Sequence, residues 1–348
     1  MVRNFTLICI IAFCLAGCFE SDKVGTIESG DADRIKITAA MVAYLQVQDL
    51  PALESVEFWE NEYGPGLKLT TAHYEIFTTL LEPLMLRRVP GFVESGYRGY
   101  NSQLPRPIET STRFTIYLFA DRRQWEDFTK TFTGEQAELF CRIKAGAYYL
   151  NGACVAYNIG RERTFFALGH EGWHQFNGRH FKFRLPSWLD EGVAMLFEAH
   201  GTEQGVFYFE PAENMYRINS LKKTLINNKM MPLKELIAIN PGEVLATDET
   251  EAIMAFYGQS YALVRFLREA GYGRRLGIYH RLLQGGLRGD WPLSEVSRRI
   301  ATDRNIPRSI LWNRIVGRLL FEQYIGDDFD QIETEYLAFC RQIIKSQN

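Results

Sequence analysis

Two histidines and a glutamate stand at a spacing suited to metal chemistry. The run His170-Glu171-Gly172-Trp173-His174 is an HExxH motif. On a helix, residues i and i+4 share one face, so both imidazoles can reach one cation. Zinc favours such nitrogen and oxygen ligands and lowers the pKa of its water to about 7. The motif therefore predicts one Zn2+ held by His170 and His174, with Glu171 beside them as the general base.

A carboxylate further along the chain can complete this ligand set. Ser187 and Asp190 lie three residues apart and resemble a capping box, so a second helix is expected to begin there. Glu191 then projects from the first turns of that helix. Two histidines and one glutamate form a common catalytic zinc set that leaves the fourth position open. Glu191 is therefore the expected third ligand.

Three segments resemble a known group of enzymes. HEGWHQF, LPSWLDEGVAMLFE and YGQSYALVRFL are similar to segments of the gluzincin-type metallopeptidases of the MA clan, and most closely of their DUF1570 branch of bacterial peptidase-like proteins. The resemblance spans roughly residues 66–345. It implies a zincin-like fold, zinc at His170, His174 and Glu191, and Glu171 as the base. It also implies that a later tyrosine steadies the oxyanion. Tyr257 matches best, and Tyr261 is the alternative.

His180 offers a rival third ligand. It follows His174 by six residues, as in the HExxHxxGxxH motif of metzincins. Here Asn177 stands where the metzincin glycine would be, and Gly178 comes one place late. The metzincin interpretation also leaves the WLDEG segment unexplained, so Glu191 is favoured. Asp190 and Glu198 are lesser alternatives.

The elements around these motifs predict an α+β protein with a small mixed sheet and a mainly helical lobe. Strands are expected at 66–79 and 113–120, and a hairpin at 145–159 around Asn151-Gly152, which is a strong hairpin signal. Helices are expected at 80–100 with a break near Pro90-Gly91, 121–140, 162–177, 187–199, 213–227, 251–270, 273–286, 308–325 and 329–345.

The N-terminus has the features of a lipoprotein leader. Residues 5–17 are almost wholly apolar, too few to span a bilayer, and end in Leu15-Ala16-Gly17-Cys18, which resembles a bacterial lipobox. We therefore expect a signal peptide at 1–17 and lipid on Cys18. Residues 18–65 are expected to form a lipidated tether and N-terminal segment. A peptidase domain is expected at 66–348, with an α/β half (66–180) and a helical half (181–348).

Cysteine usage leaves three thiols in the mature chain. Cys141 and Cys154 are a candidate disulfide in an oxidising compartment, and three buried free thiols are an equally weighted alternative. No CxxC motif occurs, so a thiolate zinc site is not expected.

Composition excludes several other classes. Of the 348 residues, 46% are hydrophobic and 23% are charged, which is ordinary for a globular protein. The net charge of −3 gives no indication of a nucleic-acid partner. No apolar run reaches 18 residues, so a multi-span membrane protein is excluded.

Together these features predict a membrane-anchored, zinc-dependent peptidase of the bacterial cell envelope. It would face the periplasm or the outside and cleave peptides or proteins, with the membrane as its second partner through the N-terminal lipid. The alternative from another class is a catalytically silent zincin-fold lipoprotein that acts as an envelope binding or scaffold protein. Retention of Glu171 favours the enzyme.

Overall fold

The computed structural model describes residues 31–144, 146–246, 249–302 and 312–346. The predicted signal peptide at 1–17, Cys18 and the first part of the tether lie outside these residues. The strands are β1 (Ser55–Phe58), β2 (Leu67–Thr70), β3 (Tyr74–Thr78), β4 (Phe114–Phe119), β5 (Ala147–Leu150), β6 (Ala153–Tyr157), β7 (His200–Glu203) and β8 (Val206–Phe209). The helices are α1 (Asp31–Gln46), α2 (Pro83–Asn101), α3 (Arg122–Thr133), α4 (Ala137–Cys141), α5 (Arg161–His180), α6 (Ser187–Ala194), α7 (Met215–Ile226), α8 (Leu233–Leu236), α9 (Pro241–Ala246), α10 (Thr250–Gly273), α11 (Leu276–Arg288), α12 (Glu295–Thr302), α13 (Arg318–Tyr324) and α14 (Phe329–Lys345).

The expected α+β class and the mixed sheet are confirmed. The large sheet has the strand order β1-β2-β3-β4-β6-β5. Strands β3, β4 and β6 run parallel, because α2 and then α3 with α4 return the chain between them. Strands β1, β2 and β5 are antiparallel to their neighbours. The sheet therefore has a parallel centre and ends in β5 on one side.

Helices cover both faces of this sheet. In β4, Phe114, Ile116 and Leu118 belong to the core on the side of α5, whereas Phe119 belongs to a second core beneath α3. This alternation follows from the period of two along a strand. The α5-side core continues without a break into the helical lobe, where α6 and α7 pack against α10. The two halves predicted at 66–180 and 181–348 therefore share one core.

The hairpin predicted around Asn151-Gly152 is present between β5 and β6. Both turn residues have positive φ, 50° at Asn151 and 84° at Gly152. A type I′ turn requires this conformation, and Asn-Gly adopts it at little cost.

Two predictions near the start of the sheet are wrong. The single strand expected at 66–79 is two antiparallel strands, β2 and β3, joined by a tight turn at Thr71–His73 that carries no glycine, proline or asparagine. The break expected near Pro90-Gly91 is absent, since α2 continues through Pro90. Burial of Phe92 and Tyr100 beyond the proline supplies the packing that offsets its lost hydrogen bond.

The domain boundary predicted at residue 66 falls too late. Strand β1 pairs with β2, with Ser55 opposite Thr70, and α1 packs against β1. Arg34 also donates to the carbonyl oxygens of Asn61 and Gly64 at 2.7 and 2.6 Å. The fold therefore extends into the segment that was expected to be a tether, and includes at least α1.

The helix predicted at 187–199 is shorter than expected. Helix α6 ends at Ala194, a 3-10 turn follows at Met195–Phe197, and the chain then enters the β7–β8 hairpin. The helix predicted at 308–325 falls partly outside the described residues. Its described part is a π-helix at Trp312–Gly317 followed by α13.

The candidate disulfide is also wrong, because Cys141 and Cys154 are both free thiols. Cys154 points from β6 into the core on the α5 side. Cys141 ends α4, whose Phe140 belongs to the core on the opposite side of the sheet. A bond between them would require the backbone to move.

Candidate metal centre

Helix α5 places the two motif histidines side by side in the core. The Nε2 atoms of His170 and His174 lie 3.1 Å apart. His170 is fully buried and His174 is 4% exposed. The spacing of four residues thus brings both imidazoles to one point, as the sequence predicted.

Helix α6 brings Glu191 to the same point. Glu191 Oε2 lies 3.4 Å from His170 Nε2 and 3.8 Å from His174 Nε2. The start of α6 is held by Asn313, which accepts from the Ser187 backbone N–H and donates to the Ser187 hydroxyl, both at 2.9 Å. Gly192 lets α6 approach α10 closely, since a Cβ there would lie 2.6 Å from the Ser260 carbonyl oxygen.

The triangle formed by these three atoms has the size of a metal site. Zinc binds nitrogen and oxygen at about 2.0–2.1 Å, so two ligands of a tetrahedral ion lie about 3.3 Å apart. Two imidazole nitrogens and a carboxylate oxygen are also a chemically suitable donor set. His170, His174 and Glu191 can therefore hold a metal ion together.

A carboxylate stands behind each histidine. His170 Nδ1 lies 2.9 Å from Glu198 Oε1, and His174 Nδ1 lies 3.2 Å from Asp190 Oδ1. Such a contact fixes the proton on Nδ1 and leaves the Nε2 lone pair for the metal. Asp190 and Glu198, considered above as lesser ligand candidates, thus contact the far edges of the rings.

The two carboxylates are held by different partners. Asp190 Oδ1 accepts from Trp173 Nε1 at 3.0 Å and from Asn177 Nδ2 at 2.9 Å, which are both neutral donors. Glu198 accepts from Asn214 Nδ2 at 2.8 Å and from the guanidinium of Arg217 at 2.6 and 2.8 Å. The carboxylate behind His170 is therefore held by a buried cation, Arg217.

Two glycines of α5 permit this close packing. A Cβ on Gly169 would lie 2.1 Å from the Phe197 carbonyl oxygen, so only glycine allows the backbone before Glu198 to approach His170. A Cβ on Gly172 would lie 2.2 Å from the hydroxyl of Tyr100, which donates to the Gly169 carbonyl at 2.9 Å. Helix α5 thus approaches Phe197 and Tyr100 more closely than a residue with a Cβ would allow.

Glu171 is fully buried beside the triangle, next to the backbone of Tyr149 in β5. Burial raises the pKa of Glu171, and this exceeds the opposite effect of the two imidazoles. A carboxylate with a raised pKa is better matched to proton transfer near neutral pH than an ordinary one.

The pKa of Glu191, the candidate third ligand, is shifted in the opposite direction. Burial raises the pKa of Glu191, but His174 and His170 lower it more, and the net pKa lies well below its usual value. Glu191 is therefore ionised at neutral pH, as a metal ligand requires.

The rival ligand His180 is not part of this group. It lies at the C-terminal end of α5, where its ring packs against Phe176 and Phe114 at centroid distances of 4.7 and 5.8 Å. Burial and the neighbouring Arg179 lower the pKa of His180 to about 4. The geometry thus brings Glu191, and not His180, to the two motif histidines.

The two tyrosines of α10 have different surroundings. The hydroxyl of Tyr261 donates to the Pro211 carbonyl and accepts from Arg265 at 2.9 Å. Its hydrogen bonds are therefore made to groups other than the two histidines. The ring of Tyr257 lies 5.2 Å from the Arg217 guanidinium, which places it against the partner of Glu198. A role for Tyr257 at the oxyanion stays a prediction.

Sequence reasoning missed Arg217, Asn214 and Asn313. They reach the centre through tertiary packing, and no fixed spacing relates them to HExxH. The one local signal is that Asn214 occupies the N-cap of α7, where its side chain accepts from the Arg217 backbone N–H.

Neither a protein-family model nor a curated protein sequence matches the chain. The resemblance to gluzincins and to the DUF1570 branch is therefore still a prediction from the motifs. Among the described helices, none is both long and apolar enough to cross a bilayer.

Proposed function

We propose that this protein is a zinc-dependent peptidase of the zincin type. The observation that carries the proposal is the buried triangle of His170, His174 and Glu191, with the carboxylate of Glu171 beside it. A structural zinc site usually has four protein ligands, whereas three ligands with an adjacent unligated acid are typical of a hydrolytic site.

Zinc fits the donor set better than the harder cations do. Two imidazoles and one carboxylate suit zinc, whereas magnesium and calcium favour sites made of oxygen alone. Zinc bound there would polarise a carbonyl group and lower the pKa of a water molecule to about 7.

Glu171 acts first as the general base and then as the general acid of the reaction. Its carboxylate accepts a proton from the attacking water as the water oxygen bonds to the peptide carbonyl carbon. The protonated Glu171 then gives this proton to the leaving nitrogen as the carbon–nitrogen bond breaks. The raised pKa of Glu171 allows it to serve in both steps.

The position of β5 supports a peptide substrate. This strand is an edge strand of the sheet, and α5 packs against it. The backbone of Tyr149 in β5 lies next to Glu171. An extended peptide can add to a sheet edge through its backbone groups, which would bring its carbonyl groups alongside α5.

A metal-holding scaffold is the second candidate, and burial is the observation that favours it. His170, Glu171 and Glu191 have no exposed surface, so a substrate can reach them only if covering groups move. The two candidates differ in what they require of Glu171. Its basicity is essential to the enzyme and irrelevant to the scaffold.

The test compares the wild type with Glu171→Gln at matched zinc content, one peptide and one pH. The substitution keeps the size of the side chain and removes its basicity, so zinc binding should persist. Cleavage of library peptides should depend on metal and should fall by about 10²–10⁴-fold in the variant. Equal cleavage by both proteins would show that the activity lies elsewhere. An inactive wild type, together with full complementation of a deletion strain by Glu171→Gln, would favour the scaffold.

The lipid anchor and the envelope location belong to the same proposal. They rest on the run Leu15-Ala16-Gly17-Cys18 behind an apolar segment, outside the described residues. Cys18→Ser should abolish fatty-acid labelling and release the protein from membranes, because acyl chains provide the stable attachment. Continued retention of the unlabelled variant in the membrane would point to an uncleaved helix at 5–17 instead.

A further inference from the structure

A buried polar cluster stands behind His170, and we name it the Glu198 clamp. It consists of Glu198, which follows α6, and of Asn214 and Arg217 at the start of α7. All three residues are at most 3% exposed. Such burial of a carboxylate and a guanidinium needs a reason beyond stability, because desolvation offsets much of the attraction between them.

Each oxygen of Glu198 has two partners in this clamp. Oε1 accepts from Arg217 Nη2 at 2.6 Å and contacts His170 Nδ1 at 2.9 Å. Oε2 accepts from Arg217 Nε and Asn214 Nδ2, both at 2.8 Å. A carboxylate held at both oxygens by a planar fork can neither rotate nor translate without breaking a charged hydrogen bond. The position of the His170 ring is therefore set by Arg217 through Glu198.

The clamp also determines which nitrogen of His170 faces the candidate metal position. Glu198 Oε1 lies 2.9 Å from His170 Nδ1, so this nitrogen donates to Glu198. The lone pair on Nε2 then faces His174 and Glu191.

The aromatic surroundings of Arg217 fix the other end of the clamp. Its guanidinium lies 4.9 Å from the ring of Tyr216, 5.2 Å from Tyr257 and 5.7 Å from Phe166. These rings come from α7, α10 and α5, so the clamp ties three helices to one histidine.

We infer that Arg217 is a positioning residue for metal binding, which acts through Glu198 on the Nε2 atom of His170. The inference rests on the metal site of the proposed function and does not depend on peptidase activity.

The experiment measures Zn2+ dissociation constants by chelator competition and the visible absorption of Co2+-loaded protein. The proteins are the wild type, Arg217→Met, Glu198→Gln and the double variant. Each single substitution should weaken Zn2+ binding by about 10–100-fold and alter the Co2+ spectrum. If Arg217 acts through Glu198, the double variant should bind no worse than the weaker single variant.

Arg265→Met is the matched control. Arg265 is also a buried arginine, 5% exposed, and it forks onto the carboxylate of Glu269 at 2.7–3.1 Å. Its removal should lower the melting temperature without changing the Zn2+ dissociation constant or the Co2+ spectrum. If Arg217→Met does not fold, Asn214→Ser takes its place, because serine keeps the helix cap and loses the amide donors to Glu198.

Three results would overturn the inference. One is a Zn2+ dissociation constant in Arg217→Met or Asn214→Ser within about threefold of the wild type. Another is a loss in the double variant equal to the product of the two single losses. The third is a wild type that binds no metal, which would overturn the proposed function as well. Tight metal binding without peptide cleavage would contradict only the proposed function.

Discussion

Helix α5 carries histidines in two contrasting environments. In its middle, His170 and His174 face Glu191 and are backed by Glu198 and Asp190. At its C-terminal end, His180 lies between two phenylalanine rings and beside Arg179. The three histidines share one helix, but His170 and His174 are buried and His180 is half-buried, and the charges beside them are opposite.

This contrast shows which surroundings make a histidine suitable for binding a metal ion. Burial lowers the pKa of His170, but its hydrogen bonds to Glu191 and Glu198 outweigh burial, and the pKa lies above its usual value. At His180, burial and Arg179 act in the same direction and lower the pKa to about 4. Carboxylates that attract a proton also attract a metal ion, whereas a site that repels a proton repels a metal ion too.

The largest effect is expected from removing both central histidines. His170→Ala with His174→Ala leaves Glu191 as the one remaining ligand, so bound zinc should fall from about one ion per chain to none. Elemental analysis of the purified protein measures this directly. His73→Ala is the control, because His73 pairs with Glu94 at 2.7 Å and stacks on Tyr97, apart from the centre. Stoichiometric zinc in the double variant would exclude the site.

A smaller effect is expected from exchanging the two candidate third ligands. Glu191→Ala should weaken zinc binding by roughly 100-fold or more, since the loss of a direct ligand exceeds that of a supporting residue. His180→Ala should leave the zinc dissociation constant unchanged. Chelator competition on both variants gives the ranking, and the reverse order would assign the centre to a metzincin-like ligand set.

The smallest effect concerns the pH dependence of stability. Between pH 6.5 and about 4, the unfolded chain binds a proton at His180 that the folded protein does not bind. The free energy of unfolding therefore rises with pH across this window, and the contribution is lost as pH falls through it. His180→Gln should reduce the difference in the free energy of unfolding between pH 7 and pH 5, by less than about 2 kcal/mol because solvent screens the partly exposed ring. Urea unfolding of wild type and variant at both pH values measures this, and parallel pH curves would contradict it.

The parts of the fold that the sequence predicted depend on local chemistry. Asn151-Gly152 specifies its turn through two adjacent residues. Helix α14 follows from apolar positions at helical spacing, such as Ile332, Tyr336 and Phe339. The turn between β2 and β3 was missed because it lacks turn residues. The β7–β8 hairpin was missed because Gln204-Gly205 is a weaker turn signal than Asn-Gly, although both of its residues adopt positive φ.

The candidate metal centre was also predictable only in part. Its candidate ligands were predictable because residues four apart share one face of a helix, and because α6 begins at Ser187 as expected. The capping box expected there does not form, since Pro186 is the N-cap of α6 and makes no side-chain hydrogen bond. The supporting shell was not predictable, since Arg217 reaches Glu198 from another helix and Asn313 caps α6 from 126 residues away. Such contacts depend on how elements pack, and a single sequence does not display that packing.

The burial of the candidate metal centre affects the rate at which a metal ion exchanges rather than the affinity for it. His170 and Glu191 have no exposed surface and His174 only 4%, so an ion can enter or leave only when the fold opens locally. The rate of metal exchange is then set by the frequency of local opening, which also limits how fast a chelator in solution can remove the ion. Zinc acquired during folding would have a long residence time, and a chain folded without zinc would load slowly even at high affinity. The metal content of a purified sample thus depends on whether zinc was present during folding as well as on the equilibrium affinity.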